Sequence, residues 1–466
     1  YAEKGAPYKA RVSGDNRRSE PLVDTPATIT VLTQTQIKES GRSDLRAIVG
    51  AQPGITLGTG ENGNAFGDRY VIRGQEARSD VFIDSLRDPG MTTRESFAVE
   101  QVEITKGPNS TFAGRGSSGG TINSITKRAS SDYSFTRAEL GLGTDAHRRL
   151  TLDSNLPLGE RAAVRVNLLH GDEDVPDRAP AERQRDGVAL SALLQPDDRF
   201  YLLADYYYLD ADGSADLGTY IVPNGGRPVD DLAVYQQDED FLTSTVDIGT
   251  LRAGYEFAGG FKLENAARYG TTENGYVLTG ARGGTRGPAD PQAPNAATIT
   301  LSTHQGWQEV EYFVDQLNGY WDTDLLGFEQ RIVVGAEYSD LSVLNGNYTV
   351  SNNGGRNCVT GAGAGGRAAF IGGFGRMGWI GATSPERFLD SWAEEALLQR
   401  LARSTPVSMT LLGIDFEGLD VRIGGIFRRF ALSPPAGSAD ALHDAAVEVL
   451  SRADYGLPGG DSAAFV

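Results

Sequence analysis

From residue 131 onward the chain alternates apolar and polar side chains with a period of two. Phe135 to Gly143, Arg148 to Leu156, Ala162 to His170, Gly187 to Gln195 and Phe200 to Leu209 fit this period. So do Val246 to Phe257, Phe261 to Gly270, Gln308 to Asp322 and Phe328 to Leu344, which makes about nine predicted strands. Ala162, Val164, Val166 and Leu168 share one face, opposite Ala163, Arg165 and Asn167. Phe261, Leu263, Ala267 and Tyr269 likewise oppose Lys262, Glu264 and Arg268, and Ile332, Val334, Ala336 and Tyr338 oppose Arg331, Glu337 and Ser339.

The connections between these strands alternate in length. LPLGER, QPDDR, AGG and DLLG are tight, whereas 171–186, 210–245 and 271–307 are long, polar and rich in Gly, Pro and Asp. Short turns at one end and long loops at the other are the layout of a membrane barrel, apolar toward lipid and polar toward a lumen. Phe200, Tyr201, Tyr255, Phe257, Phe261, Tyr320, Trp321 and Phe328 crowd near the short turns, where an aromatic girdle would lie.

Before residue 131 the pattern is mixed. Residues 1–23 are polar and aperiodic, with Pro7 and Pro21, and are expected to be flexible. DTPATITVLT predicts a strand, TQTQIKESGRSDLRAIVG one short helix stopping at Gly50, and QPGITLG a further strand. VEQVEIT reads as a half-buried strand, GPNSTFAGRGSSGG as a turn region and TINSIT as another short strand.

Composition sharpens the picture. The 466 residues include no apolar run long enough for a transmembrane helix, a test that says nothing against a barrel. With 43 basic and 62 acidic residues the formal charge is −19, which argues against nucleic acid as a partner. The single Cys358 excludes an intramolecular disulfide and a thiolate metal cage. His147, His170, His304 and His443 show no metal-ligand spacing. No phosphate-binding loop is present either: Gly114 to Gly120 lacks the Lys-Ser/Thr, and GLGTDA at 141–146 opens no helix.

The stretch 99–128, VEQVEITKGPNSTFAGRGSSGGTINSITKR, closely resembles the end of the plug domain of TonB-dependent outer-membrane receptors. Val102, Glu103, Lys106, Gly107, Pro108, Gly114, Arg115, Gly116, Gly119, Gly120, Thr121, Ile122, Asn123 and Lys127 carry the match. DTP with its strand and helix, YVIRG with Arg73 and Gly74, and DVFIDSLRD follow the same family's order, so the resemblance runs over about 24–130. Physically, the glycines supply φ > 0 or close backbone approach, and Lys106, Arg115 and Lys127 are expected to pair with carboxylates of a barrel wall.

The resemblance implies an α/β plug domain (24–130) followed by an antiparallel transmembrane β-barrel (131–350) in a bacterial outer membrane. Outer-membrane lipid, a TonB-type energy-coupling protein and a ferric siderophore are the implied partners. The siderophore is transported ligand rather than cofactor, and no covalent chemistry or catalytic residue is implied. RDPGMTTRESFAVEQVE is most similar to receptors of the ferric catecholate type. Asn62, Phe66, Arg78, Arg87, Met91 and Arg94, in the three plug loops, are the candidate ligand residues. The arginines would meet an anionic chelate, and Phe66 or Met91 would pack on its rings. For any single arginine, a structural or solvated charge is the commoner role. PYKARV at 7–12 is the candidate for the TonB-contacting segment. A vitamin or an oligosaccharide remains an alternative ligand.

Nine strands cannot close a plugged transporter barrel, which uses about 22. The strand pattern stops in a junction at 351–383. Beyond it come SPERFLDSWAEEALLQRLAR as a helix, VSMTLLGIDFEGLD as a strand and ADALHDAAVEVLSRAD as a second helix. This α/β tail, 384–466, has a partial resemblance to GGDEF domains of diguanylate cyclases through Gly459, Gly460 and Asp461. Ser462 and Gly413 stand where that family has metal-binding carboxylates, which removes the charge two-metal chemistry needs. A signalling role through the tail is the rival from the enzyme class. A truncated, frameshifted or fused reading frame is the expected origin of the change of class.

Overall fold

The computed structural model describes residues 2–3, 6–18, 20–58, 69–77, 80–114, 117–176, 178–213, 217, 234, 236, 240–282, 298–325, 328–351, 357–359, 369–370, 378–380, 408–411 and 414–417. Residues 1–347 and 352–378 form one compact unit.

Its first part is a small α/β domain. Strands β1 (Ala2–Glu3) and β2 (Ala6–Ala10) make a hairpin, followed by β3 (Thr28–Thr33) and two helices, α1 (Gln34–Glu39) and α2 (Leu45–Gly50). The single helix expected over 34–50 is split. Gly41 turns left-handed at φ +67°, and Asp44 starts a new helix by accepting from the Ala47 N–H at 2.6 Å. Six-residue helices are marginal alone, and these hold through Ile37, Leu45, Ile48 and Val49, buried against Val102, Ile104 and Ile122. Strands β4 (Ile55–Leu57), β5 (Tyr70–Ile72) and β6 (Gln75–Glu76) form a three-stranded sheet, with Arg73 (φ +51°) and Gly74 (φ +80°) in the β5–β6 turn.

The main sheet adds β7 (Val81–Ile83), β8 (Leu86–Arg87), β9 (Val99–Lys106) and β10 (Gly120–Thr126), in the order β3-β9-β10-β7-β8. A short helix α3 (Ser110–Ala113) lies between β9 and β10. β9 is central and buried on both faces, so it is not the half-buried strand its alternation suggested; its polar positions meet other chain segments instead of water. Gly107, Gly114 and Gly120 have φ of +105°, +70° and +139°, and a side chain at Gly119 would strike the Ile72 carbonyl. Gly116 and Arg115 lie outside the described residues, and Pro108 is exposed.

The N-terminal segment departs from the expected flexible chain. The Thr33 hydroxyl donates to the Pro7 carbonyl at 2.6 Å, and Ser13 is buried with its hydroxyl donating to Glu103 at 2.7 Å. Gly14 N–H also donates to Glu103, and Arg18 donates to Asn109 while lying 4.0 Å over the Phe112 ring. Burial pushes the Glu103 carboxyl above its usual range, against the hydrogen bonds from Gly14 and Ser13. A buried carboxylate without such donors would be costly, which is why this stretch is held.

The second part is an antiparallel sheet. Strands β11 (Phe135–Leu142), β12 (Arg148–Pro157), β13 (Ala162–Asp174), β14 (Glu182–Leu194) and β15 (Phe200–Gly213) pair in sequence order. They continue through β16 (Phe241–Glu256), β17 (Phe261–Arg282), β18 (Thr298–Leu325) and β19 (Phe328–Gly346). All nine expected strands are present. Several run on through residues assigned to long loops: 171–174, 182–186, 210–213, 241–245, 271–282 and 298–307 are ladder, for example Thr300 opposite Arg282. The ends at 171–174, 182–186 and 210–213 lack an apolar face, which is why the period of two does not mark them.

The faces follow the sequence. Leu150, Leu251 and Tyr269 are exposed on one side, while Arg165, Asn167, Arg252 and Arg268 are buried on the other; β19 is exposed on both faces, so the polar side expected at Arg331, Glu337 and Ser339 is not buried. Phe200, Tyr255, Phe257, Phe261 and Trp321 take the outward face near the short turns, with Tyr255 and Phe257 ring centroids 4.7 Å apart. Tyr201 and Tyr320 turn inward instead. Tyr201 donates to Glu264 at 2.6 Å, and Lys262 lies over both rings.

A second unit comprises residues 348–351 and 379–466. Within it the expected strand 407–420 is a two-stranded hairpin, Ser408–Leu411 against Ile414–Glu417. The two expected helices of the tail and the GGDSAAF turn lie outside the described residues.

Candidate ligand site

The α/β domain packs against the inner face of the barrel sheet. Phe97, Ala98 and Ile83 meet Leu169, Ala189, Leu209, Val246 and Ile248, and Leu86 meets Ala266, Val310, Tyr312 and Val314. Ion pairs add to these contacts: Lys127 with Asp153 at 3.1 Å, Arg165 with Glu100 at 3.7 Å and Arg149 with Glu95 at 2.9 Å. Lys127 therefore pairs with a barrel carboxylate as expected. Lys106 makes no such ion pair among the described residues; its backbone pairs within the plug sheet, opposite Thr28 and Gly120.

At the end of the barrel where the strands run into the long connections, a cavity of 570 Å³ opens between plug residues Ser43 to Ala47 and the lumen faces of β12–β16. Its chemistry comes from strand alternation. Residues 183 and 185 are two apart on β14, so both arginines face the lumen. Arg149 on β12 and Arg185 on β14 both stand opposite Gly171 of β13, whose missing side chain leaves the space between them open. The arginines are held rather than loose. Arg183 donates to Glu173 at 3.1 Å, His147 pairs with the same carboxylate at 2.9 Å, and Arg185 donates to the carbonyls of Gln184 and Asp212. Burial pushes the Glu95 carboxyl up from its usual range, against the pull of Arg149.

The plug loop 88–95 forms one side of this region. A side chain at Gly90 would strike Thr272, the Thr92 and Ser244 hydroxyls share a 2.5 Å hydrogen bond, and Tyr312 donates to Asp88 at 3.1 Å. Of the candidate ligand residues on this loop, Arg94 is buried and closes the loop on itself through Asp88 at 2.8 Å and the Thr92 and Gly90 carbonyls. Arg87 is tied to Asp80 at 3.1 Å and the Ala113 carbonyl at 2.7 Å. Both act within the plug, and Met91 is half-buried. Asn62, Phe66 and Arg78 lie outside the described residues. The lumen arginines 149, 183 and 185 were not singled out in the sequence, although the spacing Arg183-x-Arg185 at a strand end signals two cations on one face.

Residues 21–121 match the family model described as the TonB-dependent receptor plug domain. The chain is 34% identical over 354 residues to a probable TonB-dependent siderophore receptor, PiuA, of Acinetobacter baumannii, covering 73% of this chain and 46% of that protein. It is 32% identical over 302 residues to the catecholate siderophore receptor Fiu of Escherichia coli K12, covering 61% and 39%. Among solved structures it is similar to PiuA (TM-score 0.68, 31% identity, 76% of this chain and 51% of that one). It is similar also to the closed form of the ferric-catecholate import receptor Fiu (TM-score 0.70, 25% identity, 79% and 54%). The chain spans about half the length of the curated relatives it matches. With the plug, the inward-polar and outward-apolar antiparallel sheet, and these relatives, the chain belongs to the TonB-dependent outer-membrane receptors.

Proposed function

We propose that this receptor binds and imports a ferric siderophore of catecholate type, using the cavity between plug and β12–β16. The observation that carries the reading is the arginine row 149, 183 and 185 facing a 570 Å³ space, a volume in the range of small-ligand sites. A ferric tris-catecholate is a compact polyanion. Guanidinium groups bind such oxygens with charge-assisted hydrogen bonds, more strongly where the wall excludes water. The relatives named as siderophore and catecholate receptors support the same ligand class. The protein forms no covalent bond in this role. It binds, and energy from a TonB-type partner acting on the N-terminal segment displaces the plug. Asn62, Phe66, Arg78 and Met91 remain proposed contacts from the plug loops.

Titrating the purified receptor with ferric tris-catecholate, a ferric hydroxamate and cobalamin, followed by tryptophan fluorescence, tests the proposal. Catecholate should bind best, and Arg185→Ala should weaken it by at least tenfold. Failure of every iron chelate to bind would remove the proposal.

A further inference from the structure

His147 stands on the rim of the ligand cavity. It closes the β11–β12 turn, where Asp145 and Ala146 are both left-handed at φ +55° and +52°. The Asp174 N–H donates to the Asp145 carbonyl at 2.8 Å, so this turn is fastened to the end of β13. From that position His147 Nδ1 lies 2.9 Å from Glu173 Oε2, while Arg183 Nη1 donates to the other oxygen, Oε1, at 3.1 Å. Glu173 faces Arg183 across the β13–β14 ladder, and the position facing Arg183 from β15 is Gly213. Across the sheet the arginine therefore has one side-chain neighbour, and it shares that neighbour with a histidine.

The charge of this trio depends on one proton. A carboxylate only accepts, so the Nδ1 beside it carries hydrogen and Nε2 is the nitrogen left to take a second proton. Histidine is the side chain that changes charge between about pH 5 and 8. With the ring neutral, Glu173 cancels Arg183; with the ring protonated the trio carries a net positive charge and the carboxylate is divided between two cations. The arginines 46, 148, 149 and 185 around the cavity keep their charge throughout. Its other carboxylates are Asp44, which caps α2, Glu95, which pairs with Arg149, and Asp172 and Glu182. Burial pushes Glu95 up, so acid neutralises it as well, and substitution tells the two responses apart. His170, on the opposite face of β13, pairs with Asp186 at 2.6 Å instead.

We propose that His147 sets the pull of the ligand cavity on anions through Glu173: a proton on the ring frees Arg183 for the ligand, and loss of that proton returns the arginine to the carboxylate. Glu173 is then a positioning residue, and affinity for an anion rises as pH falls. The inference rests on the reading of the cavity as an anion site, but its test reads the local potential and needs no chelate. In the purified full chain with Cys358→Ser, Leu242→Cys places a thiol on the cavity wall. Its rates with sulfonatoethyl and trimethylammonioethyl methanethiosulfonate, one anionic and one cationic, are measured at pH 8 and pH 6. Their ratio cancels the ionisation of the thiol itself. The ratio of anionic to cationic rate should rise about threefold or more at the lower pH. That rise should persist in Glu95→Gln and be lost in His147→Gln, which keeps a donor for Glu173. Glu173→Gln should show the high ratio already at pH 8, and Glu173→Asp should restore the pH dependence. Equal rises with and without His147→Gln would overturn the proposal. So would a low ratio in Glu173→Gln at pH 8, because Glu173 would then only hold the turn in place. Failure of every iron chelate to bind would end the proposed function and leave this ratio untouched.

Discussion

The two sides of the lumen hold the plug by different physics. Toward β11–β13 the contacts are ionic: Lys38 with Glu139, Arg149 with Glu95, Lys127 with Asp153 and Arg165 with Glu100. From β13 round to β18 the main contacts are the apolar clusters around Phe97 and Leu86, with hydrogen bonds such as Thr92 to Ser244 and with Asp84 facing Arg252 and Arg268. A buried ion pair fixes geometry and contributes little net stability against an apolar substitute, whereas apolar burial is the main favourable term. One side therefore sets where the plug sits, and the other supplies most of the free energy that keeps it there.

The comparison can be broken most severely at the apolar side. Phe97→Ala should destabilise the seated plug by about 3–5 kcal/mol, measured by urea unfolding, with little dependence on salt. A cost below that of removing an exposed ion pair would reverse the ranking. The next test is acid. Burial alone would raise the Asp84 carboxyl, but Arg128 at 3.0 Å, with Arg252, Arg268 and the Thr126 hydroxyl, holds it at about 2. A carboxyl lowered in the folded state contributes stability that is present above its unfolded value and lost as pH falls toward about 2. That is about 2 kcal/mol between pH 4 and pH 2, absent in Asp84→Asn. Asp44→Ala, which removes the α2 cap beside Glu95, should cost about 1 kcal/mol and raise hydrogen exchange over Leu45–Gly50 without altering β9. The smallest effect belongs to the exposed pair Lys38–Glu139: Lys38→Gln should shift stability by about 0.5 kcal/mol or less and lose even that in 1 M salt.

Much of the fold was legible in the sequence because alternation and glycine placement are local properties. The outward and inward faces of β13 and β17 read correctly from one strand at a time, whereas β19 is exposed on both faces and shows no buried polar side. The motif glycines 107, 114, 119 and 120 sit where φ is positive or backbones meet. The strand ends at 171–174, 182–186 and 210–213 were missed because they have no apolar face to report them. The split of α1 from α2 was missed because a lone glycine after Glu39-Ser40 carries less signal than the helical pattern around it. Arg87 and Arg94 were sound choices by charge alone, yet both are committed to carboxylates and carbonyls inside the plug. The lumen cations sit 55 or more residues away along the chain.

The sequence by itself determined the elements, their faces and the family, since hydrophobic period, turn residues and a long motif each act over a few residues. Only the tertiary structure decided which charges meet. Glu95 finds Arg149 and Lys127 finds Asp153 because strand register and plug seating bring distant residues within a few ångströms, and Coulomb energy depends on that distance rather than on separation along the chain.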